Sequence, residues 1–205
     1  MKNDDEISIK VTLIGESSVG KTCIINKFCK NIFEEKVEST LGANYSQKKI
    51  EINGRQIRLD LWDTAGQEKY RAIGRHFYKE SYIVCLVYDI TNKESFEKIK
   101  EIWFPELVEY GEKYKIIGLI GNKVDLFLEE QVSEEMAKKY AEEIDAVHKR
   151  TSALKGTGIE DLFNELTIKY LNEFRGQSIC TDSKKEENIV LDSKNAKNKN
   201  KSKCC

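Results

Sequence analysis

Ile7, Ile9, Val11 and Leu13 alternate with Ser8, Lys10 and Thr12, the two-residue period of a strand. After a polar gap, Cys23, Ile24, Ile25 and Phe28 recur at helical spacing. Continued along the chain, this pattern predicts strands near 7–14, 45–52, 55–62, 82–88, 115–121 and 147–150. It predicts helices near 21–30, 93–110, 133–145 and 159–174. Asn53-Gly54 between the second and third strands is a hairpin signal. Elsewhere strands and helices alternate. The expected fold is therefore α/β: a six-stranded, mostly parallel sheet with one antiparallel strand and helices on both faces. Loops at the carboxyl ends of the parallel strands should carry the ligand site. Pro105, the single proline, falls inside the third expected helix, where it should kink or break the helix after Trp103-Phe104.

The first of those loops reads Gly15-Glu16-Ser17-Ser18-Val19-Gly20-Lys21-Thr22. It matches the phosphate-cradling pattern G-x-x-x-x-G-K-[ST] and stands between a strand and a helix, as that pattern requires. Glycines let backbone N–H groups turn toward phosphate oxygens, and the opening helix adds free N–H groups and the positive end of its dipole. Lys21 can reach the β- and γ-phosphates, and the Thr22 hydroxyl can ligate Mg²⁺. The fold class becomes a P-loop NTPase three-layer sandwich. The motif names neither the base nor the purpose of binding.

Composition narrows the setting. The chain has 205 residues, enough for one domain with an appendage. Lys and Arg number 34 against 35 Asp and Glu, so no global basic field points to nucleic acid. Apolar runs such as 83–88 and 116–120 are too short to span a bilayer. The first six residues form a short extension with no apolar leader, which predicts cytosolic synthesis. The six cysteines show no metal-ligand spacing, and a disulfide framework is not expected in the cytosol. The domain is expected to span 7–176. From 177 onward the chain is rich in Ser, Asn and Lys and reads as a disordered tail ending in Cys204-Cys205.

Three further strings follow expected strands. Asp63-Thr64-Ala65-Gly66-Gln67-Glu68 offers a carboxylate suited to holding Mg²⁺ through water. In the same string Gly66 lets its N–H approach a γ-phosphate, and the Gln67 amide can hold a water in line for attack. Asn122-Lys123-Val124-Asp125 offers Asp125 to the N1–H and 2-amino donors of guanine. Adenine lacks both, and such a mismatch can discriminate by roughly 10⁴–10⁵. Asn122 can bond the purine edge and tie loops together, and the Lys123 stem can lie over the ring. In Thr151-Ser152-Ala153, the Ala153 N–H can meet the guanine O6. Phe33 can stack edge-on against the base or belong to the core, and the Thr40 hydroxyl can complete Mg²⁺ coordination.

The span from about residue 7 to 174 resembles the Ras superfamily of small GTPases and, within it, the Rab family. The strings at 15–22, 39–45, 61–71, 87–91 and 121–125, with the terminal Cys204-Cys205, carry the resemblance. It implies GTP/GDP and Mg²⁺ as ligands. Gly15, Ser17, Ser18, Val19, Gly20, Lys21, Thr22 and Cys23 would surround the phosphates. Thr22, Thr40 and Asp63 would serve the metal, Gly66 would sense the γ-phosphate, and Gln67 would be catalytic. Phe33, Asn122, Lys123, Asp125, Ser152, Ala153 and Leu154 would border the guanosine. The stretches 34–46 and 64–80 look like the two switches, ordered by γ-phosphate and released on hydrolysis. Tyr45, Trp62 and Phe77 match the aromatic triad read by Rab effectors, though an aromatic cluster is more often core.

The resemblance further implies a monomer served by an exchange factor, a GTPase-activating protein, prenylation escort proteins and a dissociation inhibitor. Geranylgeranyl groups on Cys204 and Cys205, with five nearby lysines, would anchor it to the cytoplasmic face of vesicle or organelle membranes. Four positions depart from the family pattern: Leu41; Leu154, where a lysine is usual; the string 77–81; and Trp103-Phe104-Pro105-Glu106, which is similar to Rho proteins. A Rho-like GTPase, a GTP-loaded scaffold that hardly hydrolyses, and a P-loop nucleotide kinase remain alternatives. The kinase would need an arginine-rich lid, which is not found in the sequence, and would not need Asn-Lys-x-Asp.

Overall fold

A computed structural model describes residues 7–34, 40, 42–65, 79–111 and 116–174. Its strands are β1 (Ile7–Ile14), β2 (Ala43–Ile52), β3 (Arg55–Thr64), β4 (Ile83–Asp89), β5 (Ile116–Asn122) and β6 (Ala146–Arg150). They form one sheet in the order β2-β3-β1-β4-β5-β6. Only the β2–β3 pair is antiparallel. Asn53 and Gly54 turn it with φ of 50° and 74°, the positive pair a tight hairpin requires.

The helices are α1 (Lys21–Lys30), α2 (Lys93–Lys98), α3 (Phe104–Tyr110), α4 (Glu134–Glu143) and α5 (Ile159–Phe174). Cores lie on both sheet faces. Ile9, Val11, Leu13, Cys85 and Val87 pack with α1 and α5, where Phe28 and Phe163 stack at 4.0 Å. Ile14, Val84, Leu86 and Tyr88 pack with α2, α3 and α4 through Phe96, Trp103, Leu107 and Ala137. Double coverage explains why all seven residues of β4 are buried. It also buries Thr12, whose hydroxyl meets that of Ser81 at 2.6 Å.

Two expectations need correction. The helical backbone of 93–110 does not break after Phe104. A π-helical turn at Ile99–Trp103 joins α2 to α3, and the Phe104 N–H reaches back five residues to the Ile99 carbonyl. Pro105 then stands at the opening of α3, where its missing N–H is tolerated. A 3₁₀ turn at Val124–Glu129 was not expected. It buries none of its six residues, so its apolar Leu126, Phe127 and Leu128 carry no core-facing period. Cys23, Cys29 and Cys85 are free thiols. Among the described residues, no helix is long and apolar enough to cross a membrane.

Candidate nucleotide site

The sheet delivers five loops to one edge, at the carboxyl ends of β1, β3, β4, β5 and β6. The loop after β1 is shaped by Gly15 and Gly20. Gly15 has φ +142°, and a Cβ there would lie 2.2 Å from the Val87 carbonyl oxygen. Gly20 is the N-cap of α1, with φ +98° and no side-chain cap. By contrast Asn92 caps α2 through the Ser95 N–H, and Ser133 caps α4 through the Met136 N–H. The first turn of α1 also carries no acidic residue. Its free N–H groups and dipole are therefore left for an anion.

Lys21 is the buried cation of this loop, with its ammonium donating to the Gly15 and Glu16 carbonyls at 2.8 and 2.7 Å. Burial pulls its pKa down to about 8, against the opposing fields of Asp63 and Glu16. Glu16 is anchored from outside the loop, because the Trp103 indole N–H donates to its carboxylate at 3.0 Å.

Beside Lys21 three oxygens converge. Thr22 Oγ1 donates to Asp63 Oδ2 at 2.7 Å, Thr40 Oγ1 donates to the same atom at 3.1 Å, and the two hydroxyls are 3.3 Å apart. Asp63 Oδ1 is buried and has no hydrogen-bond partner. Burial raises the Asp63 carboxyl above its ordinary pKa, opposed by Thr22, Lys21 and Thr40. A buried carboxylate with one oxygen bonded by two hydroxyls and the other left without a partner is a hard-oxygen set, the kind that suits Mg²⁺. The donor set fits that ion.

The second half of the site lies at β5 and β6. The Asn122 amide donates to the Val19 carbonyl at 2.9 Å, tying this half to the phosphate loop. Its oxygen accepts from Thr151 Oγ1 at 3.1 Å and the Ala153 N–H at 3.3 Å. Ser152 Oγ donates to Asp125 Oδ1 and also caps the Lys155 N–H at 3.0 Å. Lys123 has φ +68°, and its ammonium pairs with Asp89 at 2.6 Å, bringing in the end of β4. Asp125 is thus held through its Oδ1 by the loop after β6.

Other expected residues fall as follows. Phe33 is half-buried and packs against the α1–α5 core; Cys23 is half-buried, with burial raising its thiol pKa. Leu154 is about half exposed while Ala153 is buried. Tyr45 and Trp62 meet with ring centres 5.3 Å apart on the β2–β3 pair. Tyr45 donates to Asp60 at 2.7 Å, and Asp60 also accepts from Ser8 and Arg58. Burial alone would raise the Asp60 carboxyl, but those hydrogen bonds bring it below its ordinary pKa. Gly66, Gln67, Phe77, Cys204 and Cys205 lie outside the described residues, as does Leu41.

A model of the Ras family matches residues 10–172. Ras-related protein Rab-21 of Bos taurus is 44% identical over 159 residues, covering 78% of this chain and 71% of that protein. Rab-21 of Homo sapiens is 43% identical over 159 residues, with coverage of 78% and 70%. Ras-related protein Rab-30 of Homo sapiens is 36% identical over 179 residues, 87% of this chain and 88% of that protein.

The chain belongs to the Rab family of Ras-related small GTPases. It is accordingly a GTP phosphohydrolase, and the ligand class of the phosphate loop is guanine nucleotide. The Rho-like string at Trp103–Glu106 does not change that membership. It serves instead to reach Glu16 through the π-helical turn.

Reading this Rab sequence by motif missed Asp89 and Trp103. Asp89 stands in the string at 87–91, but no spacing rule links it to Lys123. Trp103 and Glu16 are 87 positions apart, and only the π-helical turn brings the indole inward.

Proposed function

We propose that this chain is a membrane-anchored guanine-nucleotide switch that recruits effectors in vesicle traffic. The observation that carries the nucleotide reading is the convergence of Thr22, Thr40 and the unpartnered Asp63 Oδ1 beside Lys21. Three segments distant in sequence meet there, and one of them, Thr40, lies between α1 and β2.

In this reading Lys21 and the N–H groups of Gly15–Thr22 hold the β- and γ-phosphates. Thr22 and Thr40 hydroxyls, with Asp63 through water, would hold Mg²⁺, and that ion would offset phosphate charge. Asp125 accepts from guanine N1–H and the 2-amino group, while Ala153 N–H meets O6. Asn122 keeps the phosphate and base halves in register. Gln67 orients the attacking water, and the terminal phosphate itself takes up its proton. Loss of that phosphate releases Thr40 and Gly66, and the surrounding segments change their order. Tyr45 and Trp62, with Phe77, would report that change to effectors. Activating and exchange factors would set the timing.

Anchoring would come from geranylgeranyl groups on Cys204 and Cys205, because one chain alone anchors marginally and two anchor stably. The lysines at 194–203 would favour an anionic leaflet. Single-turnover GTP hydrolysis by the wild type and Gln67→Leu tests the mechanism. A large loss of rate in the variant is expected, and equal rates would remove Gln67 from it. Intact mass of protein from its native cells tests the anchor, with two added prenyl masses expected and unmodified Cys204 and Cys205 refuting it.

A further inference from the structure

The two loops that form the base side of the site are joined twice. On the inside they share Thr151–Asn122, Ser152–Asp125 and the Val124 N–H to the Thr151 carbonyl at 3.1 Å. On the outside stands a charged fork. Arg150 Nη1 donates to Glu130 Oε1 at 2.8 Å, and Nη2 donates to Glu130 Oε2 at 2.6 Å. This bidentate geometry is the strongest and most directional form of a side-chain ion pair. Each side chain is only 22% exposed, so solvent screening is partial.

The placement gives the fork its meaning. Arg150 is the last residue of β6 and immediately precedes Thr151-Ser152-Ala153. Glu130 is the C-cap of the 3₁₀ turn that opens beside Asp125. That turn buries no side chain fully: Val124 at its start packs partly against the core, while Leu126, Phe127 and Leu128 toward its far end are exposed. Glu134, at the start of α4, adds a second carboxylate 3.8 Å from Arg150.

We propose that the Arg150–Glu130 fork is a positioning device for the guanine loops, and that it sets how long the nucleotide stays bound and not how fast the phosphate is cleaved. The inference rests on the reading that Asp125 and Ala153 hold guanine. Neither Arg150 nor Glu130 needs to touch the ligand. The fork closes the far end of the 3₁₀ turn against β6, and Asp125 is thereby held at a fixed distance from Ala153. When the fork is cut, the base pocket opens from its rim while the phosphate loop and Asp63 remain as they are.

The test is a double-mutant cycle on the full-length protein. Dissociation of a ribose-labelled fluorescent GDP is measured for wild type, Arg150→Gln, Glu130→Gln and the double variant. Each single variant should release GDP about 3- to 10-fold faster, and the double no faster than either single. Single-turnover cleavage in preloaded GTP complexes should stay within about twofold of wild type, since the groups around the γ-phosphate are untouched. Arg150→Lys keeps the charge but not the fork, so it should fall between wild type and Arg150→Gln. Unchanged release rates accompanied by lower melting temperatures would make the pair purely structural and overturn the proposal. So would effects that multiply in the double variant, or cleavage that slows in proportion to release. Competition by ADP against GDP on the wild type separates the two levels. If ADP competes equally, the guanine reading itself fails, whatever the variants do.

Discussion

The Asn122 amide lies against Gly20: a Cβ built on that glycine would come within 2.3 Å of Asn122 Nδ2. The amide cannot swing aside, because its nitrogen is committed to Val19 and its oxygen to Thr151 and Ala153. Gly20→Ala therefore meets both a clash and a backbone at φ +98°. It should destabilise the protein by about 1–3 kcal/mol in chemical denaturation and weaken GDP binding. Asn122→Asp keeps the shape but points a second acceptor at the Val19 carbonyl. A similar loss is expected there, measured in the same way.

Asp63 should govern the response to divalent metal. Removing its carboxylate leaves Thr22 and Thr40 without their shared acceptor. In a Mg²⁺ titration of GDP release, Asp63→Ala should show metal affinity reduced about 10- to 100-fold. A wild-type release rate unaffected by chelator would argue against the metal site.

The bond from Trp103 to Glu16 links the phosphate loop to the π-helical turn. Trp103→Phe removes the donor and should cost about 1–3 kcal/mol of unfolding free energy. Glu16→Gln keeps an acceptor oxygen, so its cost should be less than half of that. Denaturant midpoints for the two variants decide the point; equal losses would show that charge, and not the hydrogen bond, holds the loop.

His148 gives a pH dependence with a definite sign. Burial lowers its pKa, with the nearby Glu134 opposing and Lys138, Arg150 and Lys149 adding to the fall. Tyr88 lies 3.4 Å from its Nε2. Below the ordinary histidine pKa of about 6.5, the unfolded chain takes up this proton before the folded one does. Stability should therefore fall as pH drops from about 6.5 toward 5. His148→Gln should flatten that slope, and melting temperatures at pH 7.5 and 5.5 read it directly.

Much of this was legible in the sequence, for identifiable reasons. The alternation of Ile7–Leu13 and the apolar runs of β4 and β5 place strands at the centre of the sheet, because burial on both faces leaves few other readings. Asn53-Gly54 fixed the single antiparallel pair. At the sheet edge the pattern is weaker: β2 begins at Ala43, two residues early, where Ala43 pairs with Thr64 on β3. The π-helical turn was not legible, because Pro105 alone signals a disturbance without saying how the backbone absorbs it. In the site, the phosphate-loop, Asp63, Asn122–Asp125 and Thr151–Ala153 strings could be read from motif spacing. Asn122 is expected to tie loops together, but its partner Val19, like the pairs Lys123–Asp89 and Arg150–Glu130, lies 20 to 103 positions away and emerges only when the sheet brings its carboxyl ends together.

If Asp125 selects guanine as proposed, base selectivity will show it. GDP, ADP and XDP should be competed against labelled GDP on the wild type and on Asp125→Asn. The wild type should prefer GDP over ADP by roughly 10⁴ or more, since adenine leaves a carboxylate unpaired. Asparagine accepts one hydrogen bond and donates another, matching the N1–H and C2 carbonyl of xanthine, so the variant should shift its preference toward XDP. Equal competition by ADP on the wild type, or an unchanged GDP preference in Asp125→Asn, would show that Asp125 does not read the base.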